Sequence, residues 1–442
     1  MSGLSIGWAQ ASIDQVAEVL DHLRQPINNT ERSARLQAST GKTYPYFGAT
    51  GQAGLIDDFV FDEDLVLLGE DGVPFLDPAK AKAYRVSGPC WVNNHAHVLR
   101  VRPDVADWRL ACHALNALDY TDLVTGSTRL KLTQEAMKRI QLPLAPRAEQ
   151  QRIADKLEAV LGRVDACCDR LARVGPLLKR FRQSVLQAGT AGTLTDAWRQ
   201  RNGEAPWRDA TLGELGIVSG GLTKNARREA LVTRYRYLRV ANVYANRLAL
   251  DDVADIGATE AEIRKTRLED GDLLIVEGNG SIEQVGRVAM WRGALPDCSH
   301  QNHLIRWRAG TDALPAYVLY WLMSPQGRAA LMARASSSSG LHTLSISKVG
   351  SIALSIPSIA EQAAIVAEVQ RLFELADRLE ARLLTALRWS AHLTPALLAK
   401  AFRGELVPQD PTDEPAQALL DRLRAAKATE PPGRRRRQPA GA

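Results

Sequence analysis

The chain has 442 residues, a formal net charge of +6 and a sequence pI near 9.1. Its 45% hydrophobic and 24% charged residues are typical of a globular protein with room for more than one core. No apolar run is long enough to cross a bilayer, no signal peptide is recognisable, and the five scattered cysteines are expected to be free thiols in the cytoplasm. The charge permits nucleic-acid binding without requiring it.

Residues 1–145 form the first of two segments with a mixed α/β pattern. Apolar stretches at 65–68 and 98–101 predict strands, turns rich in glycine and asparagine separate them, and 108–117 has a helical pattern. The acidic stretches at 62–64 and 70–71 lack a nearby lysine at the spacing of a nuclease site. We interpret them as turn and surface residues.

Residues 146–200 predict a long helix with a coiled-coil seam. The apolar positions advance by alternating steps of four and three, which gives the mean step of 3.5 typical of such a seam. The predicted seam residues are Ile153, Leu157, Val160, Val164, Leu171 and Phe181. Gly175 and Pro176 interrupt this pattern and are expected to kink or split the helix.

The same order recurs along the rest of the chain. Residues 201–356 are again mixed α/β, and 357–410 are again helical. The second predicted seam consists of Ile365, Val369, Leu372, Leu379 and Leu383. Thr394 and Pro395 predict that a short helix restarts there. Residues 411–442, which contain four arginines at 434–437, predict a disordered basic tail.

An internal repeat relates the two helical regions. Ala-Glu-Gln at 148–150 recurs at 360–362, and the same shift aligns the two seams without a gap. The flanking segments are related more loosely, with Trp8 matching Trp207. We therefore expect two mixed α+β globules and an antiparallel two-helix coiled-coil spacer with pseudo-twofold symmetry. The alternative is that each helix packs on its own globule. Globules on such a spacer suit two half-sites, which in duplex DNA often lie roughly 34 Å apart.

Motifs for catalysis and cofactor binding are absent from the sequence. It has no Gly-x-x-x-x-Gly-Lys-Ser/Thr loop, no Asn/Asp-Pro-Pro-aromatic tetrapeptide, no His-Glu-x-x-His and no Cys-x-x-Cys. His95 and His97 would share one face of a strand, but without an evident third ligand a packed or hydrogen-bonding role is favoured over a metal site. We expect no catalytic or metal-binding residue.

Polar side chains of the kinds that bond base edges cluster around the glycine turns of both segments. Ordinary polar loops and phosphate contacts are the alternative interpretation. The candidates in the first segment are Lys42, Thr43, Tyr44, Tyr46, Thr50, Gln52, Asn93, Asn94, His95, Ser127, Thr128, Arg129 and Lys131. Those in the second segment are Lys224, Asn225, Arg227, Arg239, Asn242, Asn279, Ser281, Arg287, His300, Gln301, Asn302, Ser338, Ser339 and His342.

These features together resemble the specificity subunits of Type I restriction–modification enzymes, over residues 8 to about 408. The matching motifs lie at 146–153 and 357–365 (proline, then Ala-Glu-Gln, then a heptad helix), at 402–406 (Phe-Arg-Gly-Glu-Leu), and at 44–51, 70–72, 271–275 and 286–287. The interruption at Gly175 and the extended tail depart from the family pattern. In the terms of the family, 1–145 and 201–356 would be target-recognition domains, and 146–200 and 357–410 conserved helical regions.

The resemblance implies a non-catalytic subunit that reads a bipartite, asymmetric site in double-stranded DNA, one half per recognition domain. Two methyltransferase subunits and two restriction subunits would dock on it. S-adenosylmethionine, ATP and magnesium would bind to those partners and not to this chain. Two other classes stay open from the residues alone: a coiled-coil interaction scaffold without sequence-specific DNA binding, and a self-sufficient DNA nuclease or methyltransferase.

Overall fold

The computed structural model describes residues 4–203, 205–338 and 341–429, and the chain divides into two compact units. The first unit contains the residues up to Ala172 together with those from Thr385 onward, and the second contains Arg173–Leu384. Each unit therefore consists of one globule and parts of both long helices. It contains the first part of the long helix that follows its globule and the last part of the other long helix. No helix in the described residues is long and apolar enough to cross a membrane.

The first globule is built around a four-stranded antiparallel sheet in the order β2-β9-β6-β7. A second sheet has the order β4-β3-β8-β5 with β3 and β8 parallel, and β1 pairs with β10. The elements are β1 (Ala9–Ser12), α1 (Ile13–Val16), β2 (Ala17–Val19), α2 (Asn29–Ala38), β3 (Tyr44–Gly48), β4 (Gly51–Ile56), β5 (Phe61–Asp62), β6 (Leu65–Gly69), β7 (Ala83–Val86), β8 (Pro89–Val92), β9 (Ala96–Val101), α3 (Trp108–Ala117), α4 (Gln134–Lys138) and β10 (Gln141–Leu144).

The second globule repeats this topology. Its main sheet has the order β12-β21-β17-β19, β13 and β20 are parallel, and β11 pairs with β24. The elements that follow β10 along the chain, including the two long helices and the last helix, which are not part of this globule alone, are α5 (Arg147–Thr190), α6 (Asp196–Asn202), β11 (Arg208–Thr211), α7 (Leu212–Leu215), β12 (Gly216–Gly220), α8 (Ala226–Glu229), β13 (Arg234–Leu238), β14 (Val243–Tyr244), β15 (Arg247–Leu248), β16 (Ala254–Gly257), α9 (Glu260–Thr266), β17 (Leu273–Val276), β18 (Gly278–Asn279), β19 (Val288–Met290), β20 (Ser299–His300), β21 (Leu304–Ala309), α10 (Pro315–Met323), α11 (Pro325–Arg334), β22 (Ser336–Ser338), β23 (Leu341–Thr343), α12 (Ile346–Gly350), β24 (Ala353–Ile356), α13 (Ile359–Phe402) and α14 (Ala416–Thr429).

The central strand of each main sheet is buried on both faces, which explains its continuous apolar sequence. In β6, Val66 and Leu68 enter one hydrophobic core while Leu65 and Leu67 enter another. The residues of β17 alternate between two cores in the same way. Successive strand side chains point to opposite faces, so one apolar run supplies two cores. The predicted mixed α/β fold with an internal repeat is confirmed.

The repeated glutamine fastens each long helix to its globule. Gln150 accepts a hydrogen bond from a backbone N–H and donates to two carbonyls, and Gln362 does the same in the second unit. The partners are Asp107 N (2.8 Å), Val105 O (3.0 Å) and Ala145 O (2.9 Å) for Gln150, and Leu314 N (2.8 Å), Asp312 O (3.0 Å) and Pro357 O (3.0 Å) for Gln362. Each amide thus satisfies three backbone groups where a helix begins, and all three are buried in the first unit.

The repeated glutamate holds a tryptophan from the start of each globule. The indole N–H of Trp8 donates to Glu149 at 3.1 Å, and that of Trp207 donates to Glu361 at the same distance. The sequence match between the two tryptophans therefore corresponds to one structural contact made twice.

The two long helices pack against each other within each unit. In the first unit, Ile153 and Leu157 near the start of α5 share a core with Leu398 near the end of α13. In the second unit, the end of α5 packs against Ile365 and Val369 near the start of α13. The helices therefore run antiparallel, as predicted, and also pack on the globules. Among the other predicted seam residues, Leu379 is exposed, whereas those partly buried are Val160, Val164, Leu171, Phe181, Leu372 and Leu383.

The predicted split of the first long helix at Pro176 and the predicted restart of a helix at Pro395 are wrong. α5 continues through Pro176 and α13 continues through Pro395. Proline removes only one hydrogen-bond donor, and the remaining helical bonds and tertiary packing hold a long helix together across it.

The prediction of disorder from residue 411 is also wrong for α14. This helix packs on the first globule, where Ala416 and Leu420 are fully buried in the core. The backbone N–H of Ala416 donates to Gly7 O at 2.8 Å, which joins the helix to the N-terminal segment. The arginines at 434–437 lie outside the described residues.

Candidate nucleic-acid interface

Three polar segments that are distant in the sequence meet in the first unit. They are the β3–β4 hairpin, the turn at 93–95 and the loop at 127–131. The backbone N–H of Asn93 donates to Phe47 O at 3.0 Å, which places the turn beside the hairpin. His95 Nδ1 lies 2.9 Å from Asp71 Oδ1, and Arg129 Nη2 lies 2.7 Å from the same oxygen. Asp71 therefore joins the turn to the loop.

Glu70 is the second acidic centre of this cluster. Lys131 Nζ lies 3.1 Å from its Oε1, and Arg24 Nη1 lies 2.9 Å from its Oε2. The interpretation of Glu70 as an ordinary surface residue is wrong, since its side chain is only 14% exposed. We call Glu70, Asp71, His95, Arg129 and Lys131 the acid-centred cluster. Its two carboxylates lie within 3.1 Å of three candidate DNA contacts, which themselves remain exposed or partly exposed.

His97 is buried and anchors the end of the same loop. Its Nδ1 lies 2.7 Å from Asp21 Oδ2, and its Nε2 lies 2.9 Å from the carbonyl of Leu132, the residue after Lys131. The predicted hydrogen-bonding role is confirmed for His97. Burial would raise the pKa of Asp21, but its hydrogen bond and charge interaction with His97, with help from Arg24, lower that pKa below the usual value. The described residues contain no group of three potential ligands arranged for a metal ion.

Helix α2 lies on the second sheet of this unit through cation–π contacts. None of its residues is buried. The Arg32 guanidinium lies 4.9 Å from the centre of the Tyr46 ring, and the Arg35 guanidinium lies 5.0 Å from the Trp91 ring. Such contacts stabilise a polar helix that has no apolar stripe. The sequence analysis did not identify Arg32 or Arg35 as residues that contact the sheet. Their spacing of three positions, which places them on one face of a polar helix, was the available signal.

One polar cluster of the second unit surrounds a pocket of about 100 Å³ between α8, β13 and β16. The charged residues that line it are Lys224, Arg228, Glu229, Arg234, Arg239 and Asp255. Arg228 makes two hydrogen bonds to Glu262, at 3.0 and 2.9 Å, and Arg239 donates to the Asp252 carboxylate at 2.8 Å and to the Asp252 carbonyl at 3.4 Å. A backbone hydrogen bond from Thr259, followed by the bond from Arg228, lowers the pKa of Glu262 to about 2. Several of these cations are thus already paired.

The second unit presents two further polar groups, one on the short strands β18 and β23 and one on the β14–β15 hairpin. Asn279 and His342 are paired across those strands, and Asn279 Oδ1 accepts a hydrogen bond from Ser281 N at 3.0 Å. The guanidinium groups of Arg247 and Arg287 lie 4.6 and 5.4 Å from the centre of the Tyr244 ring. The sequence interpretation included Arg287 but missed Tyr244 and Arg247.

Three predicted contacts are incompatible with the described conformation because the side chains are buried. The Tyr46 hydroxyl donates to Ile27 O at 3.3 Å. The amide of Asn242 closes the loop after β13 with two carbonyl contacts of 2.8 Å. His300 is fully buried, and burial, with help from the charge of Arg306, lowers its pKa to about 3. These residues support the fold.

The other candidates remain accessible wherever their side chains are described. Those exposed are Lys42, Thr43, Thr50, Gln52, Asn94, Ser127, Thr128, Arg129, Lys131, Lys224, Asn225, Arg227 and Ser281. Those partly buried are Tyr44, Asn93, His95, Arg239, Asn279, Arg287, Gln301, Asn302 and His342. For Ser338 only the backbone, at the end of β22, is described, and Ser339 lies outside the described residues.

Comparison with known proteins agrees with the sequence motifs and the fold. Residues 6–166 match the family described as the Type I restriction modification DNA specificity domain. The chain is 33% identical over 327 residues to the Type I restriction enzyme EcoKI specificity subunit of Escherichia coli, covering 70% of this chain and 68% of the relative. It is 31% identical to the StySPI specificity subunit of Salmonella potsdam, with the same coverage of both.

A solved structure shares the fold. The HsdS subunit from Thermoanaerobacter tengcongensis aligns with a TM-score of 0.54 at 17% identity, covering 91% of this chain and 98% of that one. The family model, the two curated relatives and the duplicated architecture lead to one assignment. The chain belongs to the family of Type I restriction enzyme specificity subunits.

Proposed function

We propose that this chain reads the DNA target of a Type I restriction–modification complex and catalyses no step of modification or cleavage. The observation that carries the proposal is the acid-centred cluster. Within it, Asp71 and Glu70 orient His95, Arg129 and Lys131 at the point where three sequence-distant polar segments meet. Exposed arginine, lysine and histidine side chains beside short turns suit contacts with base edges and phosphates.

The two units would read the two halves of a bipartite, asymmetric site. Their main sheets share one strand order, but their polar clusters differ. The first unit presents an acid-centred loop, whereas the second presents stacked arginines on a hairpin. A common frame with different polar residues supports the recognition of a different half-site by each unit.

Exposed apolar residues on α13 support docking of the methyltransferase subunits. In the first unit, Trp389 and Leu393 are exposed and lie four residues apart on one face of the helix, with Trp389 at 71%. Large apolar side chains grouped on one surface are typical of a protein interface. S-adenosylmethionine would be bound by these partners, and ATP and magnesium by two restriction subunits that complete the assembly.

Replacing Trp389 with Asp tests this docking surface. We expect weaker assembly with the methyltransferase subunit on a sizing column, because a charge would be placed within an apolar contact. Arg388→Ala, at a neighbouring exposed position, is the matched control. Assembly that is unchanged in the Trp389 variant would count against this surface.

Co-expression with the neighbouring methyltransferase gene tests the function as a whole. Sequencing of the host DNA should show one modified motif of two short halves around a fixed gap, with a methylated adenine in each half. A soluble complex that modifies no motif would contradict DNA reading. If the affinity of that complex for DNA also does not fall as salt is added, the alternative of a coiled-coil interaction scaffold would be favoured.

A further inference from the structure

The β14–β15 hairpin of the second unit presents an arginine on a short and firmly held turn. Val243 pairs with Leu248, and Tyr244 pairs with Arg247, so the loop has only two residues, Ala245 and Asn246. Asn246 has φ of 53°, which fits a tight two-residue turn. Its N–H donates to Val288 O at 2.8 Å, which fastens the turn to β19.

The two faces of this hairpin differ in chemistry. Val243 is fully buried and Leu248 packs against the same core. Tyr244 and Arg247, which alternate with them, are exposed. The apolar pair holds the hairpin on the domain, so substitutions of the exposed pair leave its anchoring contacts in place.

Aromatic stacking, and not a carboxylate, orients the two arginines of this site. Arg247 and Arg287 both lie over the ring of Tyr244, which is 41% exposed. Several other candidate cations have acidic partners, as Arg129 does with Asp71 and Arg239 with Asp252. Within the described parts of the chain neither Arg247 nor Arg287 forms an ion pair. The buried Nε–H of Arg287 also has no hydrogen-bond acceptor there.

We propose, on the basis of the proposed function, that Arg247 reads a guanine in the major groove of the half-site bound by the second unit. Tyr244 and Arg287 are positioning residues, since Tyr244 contacts both guanidinium groups and thereby restricts that of Arg247. Arg287 is partly buried, whereas Arg247 is exposed next to the turn, so Arg247 is the residue that reaches the base.

The chemistry of the groove selects the base. A two-stranded ribbon fits the major groove of duplex DNA. A guanidinium presents parallel N–H donors in a fixed fork, which matches the two acceptors O6 and N7 of guanine. Adenine offers one acceptor and one donor on that edge, so it cannot accept both bonds. Stacking on Tyr244 restricts the guanidinium before binding, which reduces the entropy lost on contact.

The test measures DNA binding by the complex of the full chain with its methyltransferase partner. The duplexes carry 7-deazaguanine, which lacks the N7 acceptor, at one guanine at a time. The half-site of the second unit is the one that changes when residues 201–356 are exchanged for those of a relative. The unaltered complex should lose about 5- to 150-fold in affinity at one guanine of that half-site.

Arg247→Ala should bind the natural duplex with a similar loss and become insensitive to 7-deazaguanine at that position alone. Tyr244→Leu should show a smaller loss at the same position. Arg264→Ala is the matched control, since Arg264 is an exposed arginine on α9 of the same unit that pairs with Glu260. It should behave as the unaltered complex does.

Three results would overturn the inference while leaving the proposed function intact. The first is that the Arg247→Ala complex keeps full sensitivity to 7-deazaguanine at every guanine, and the second is that the half-site of the second unit contains no guanine on either strand. The third is that Arg247→Ala weakens binding to all duplexes equally and lowers the salt dependence by about one phosphate contact. Absence of sequence-specific binding by the unaltered complex would overturn both.

Discussion

Glu149 and Glu361 occupy equivalent places in the two units but have different surroundings. Both accept the indole N–H of a tryptophan. Glu361 also accepts hydrogen bonds from Thr195 Oγ1 at 2.8 Å and Arg199 Nη1 at 2.7 Å. In the first unit the nearby cation, Arg152, is directed to Asp413 at 2.6 Å.

This difference appears in the electrostatics of Glu149. Burial raises its pKa, and the hydrogen bond from Trp8, the charge of Arg152 and the Gln409 amide only partly offset that effect. The tryptophan–glutamate contact, which sets the frame, is thus retained in both units, whereas the surrounding charges have diverged. A duplicated scaffold can in this way keep its geometry while its parts differ in stability.

The largest effect is expected from a lysine substitution at one seam position in each unit. Leu157→Lys places a charge at a fully buried position and should destabilise the first unit by about 3–5 kcal/mol or prevent its folding. Leu372 is only partly buried, so the ammonium group of a lysine at this position can reach solvent. Leu372→Lys should therefore reduce the stability of the second unit by only about 1 kcal/mol. Hydrogen exchange of each unit checks both variants, and equal losses would contradict the unequal burial.

The two glutamates should respond differently to loss of charge. Glu361→Gln removes the buried carboxylate that Arg199 contacts, while the contact of Arg199 with the exposed Asp196 remains, and should reduce the stability of the second unit by about 1.5–3 kcal/mol. Because the folded-state pKa of Glu149 is raised, its ionised form disfavours folding at neutral pH. Glu149→Gln should therefore change the stability of the first unit by less than about 0.5 kcal/mol, or increase it slightly.

Hydrogen exchange at the start of α5 and of α13 measures the two responses. Trp8 and Trp207 can still donate to the amide oxygen of the substituted side chain, so each variant mainly changes charge. A larger loss for Glu149→Gln than for Glu361→Gln would show that the comparison is wrong.

A smaller effect is expected from acidification of the first unit. The folded-state pKa of Asp21 is lowered, so its stabilising contribution is fully present above the unfolded value of about 3.9 and is lost as the pH falls through the folded value. Asp21→Asn should lower stability at pH 6 and flatten this acid dependence. Amide exchange of residues 125–132 between pH 6 and pH 3 follows the change, and an unaltered pH dependence would argue against the Asp21–His97 contact.

Much of the fold could be predicted because the repeat and the apolar periodicity are local properties of the sequence. Gln150 and Gln362 recur because each satisfies three backbone groups at the start of a long helix. The continuity of α5 through Pro176 could not be predicted, since tertiary packing decides whether a proline ends a helix. The burial of Ala416 and Leu420 likewise depends on a distant β-strand surface.

The candidate site was predictable by residue type but not by environment. Polar segments around glycine turns do converge in the first unit, yet their organisation by Asp71 depends on contacts between distant residues. Asn242 and His300 have the right chemistry for DNA but are buried as parts of the fold. Tyr244 and Arg287 lie far apart in the sequence, so their contact could not be predicted from it.

The central claim is that each unit reads its own half of the target. The most direct test exchanges residues 201–356 for those of a relative with a known target, co-expresses the chimera with the methyltransferase subunit and sequences the modified bases of the host. We predict that one half of the methylated motif changes to that of the relative, while the other half and the gap stay the same. A motif that changes in both halves would contradict the account.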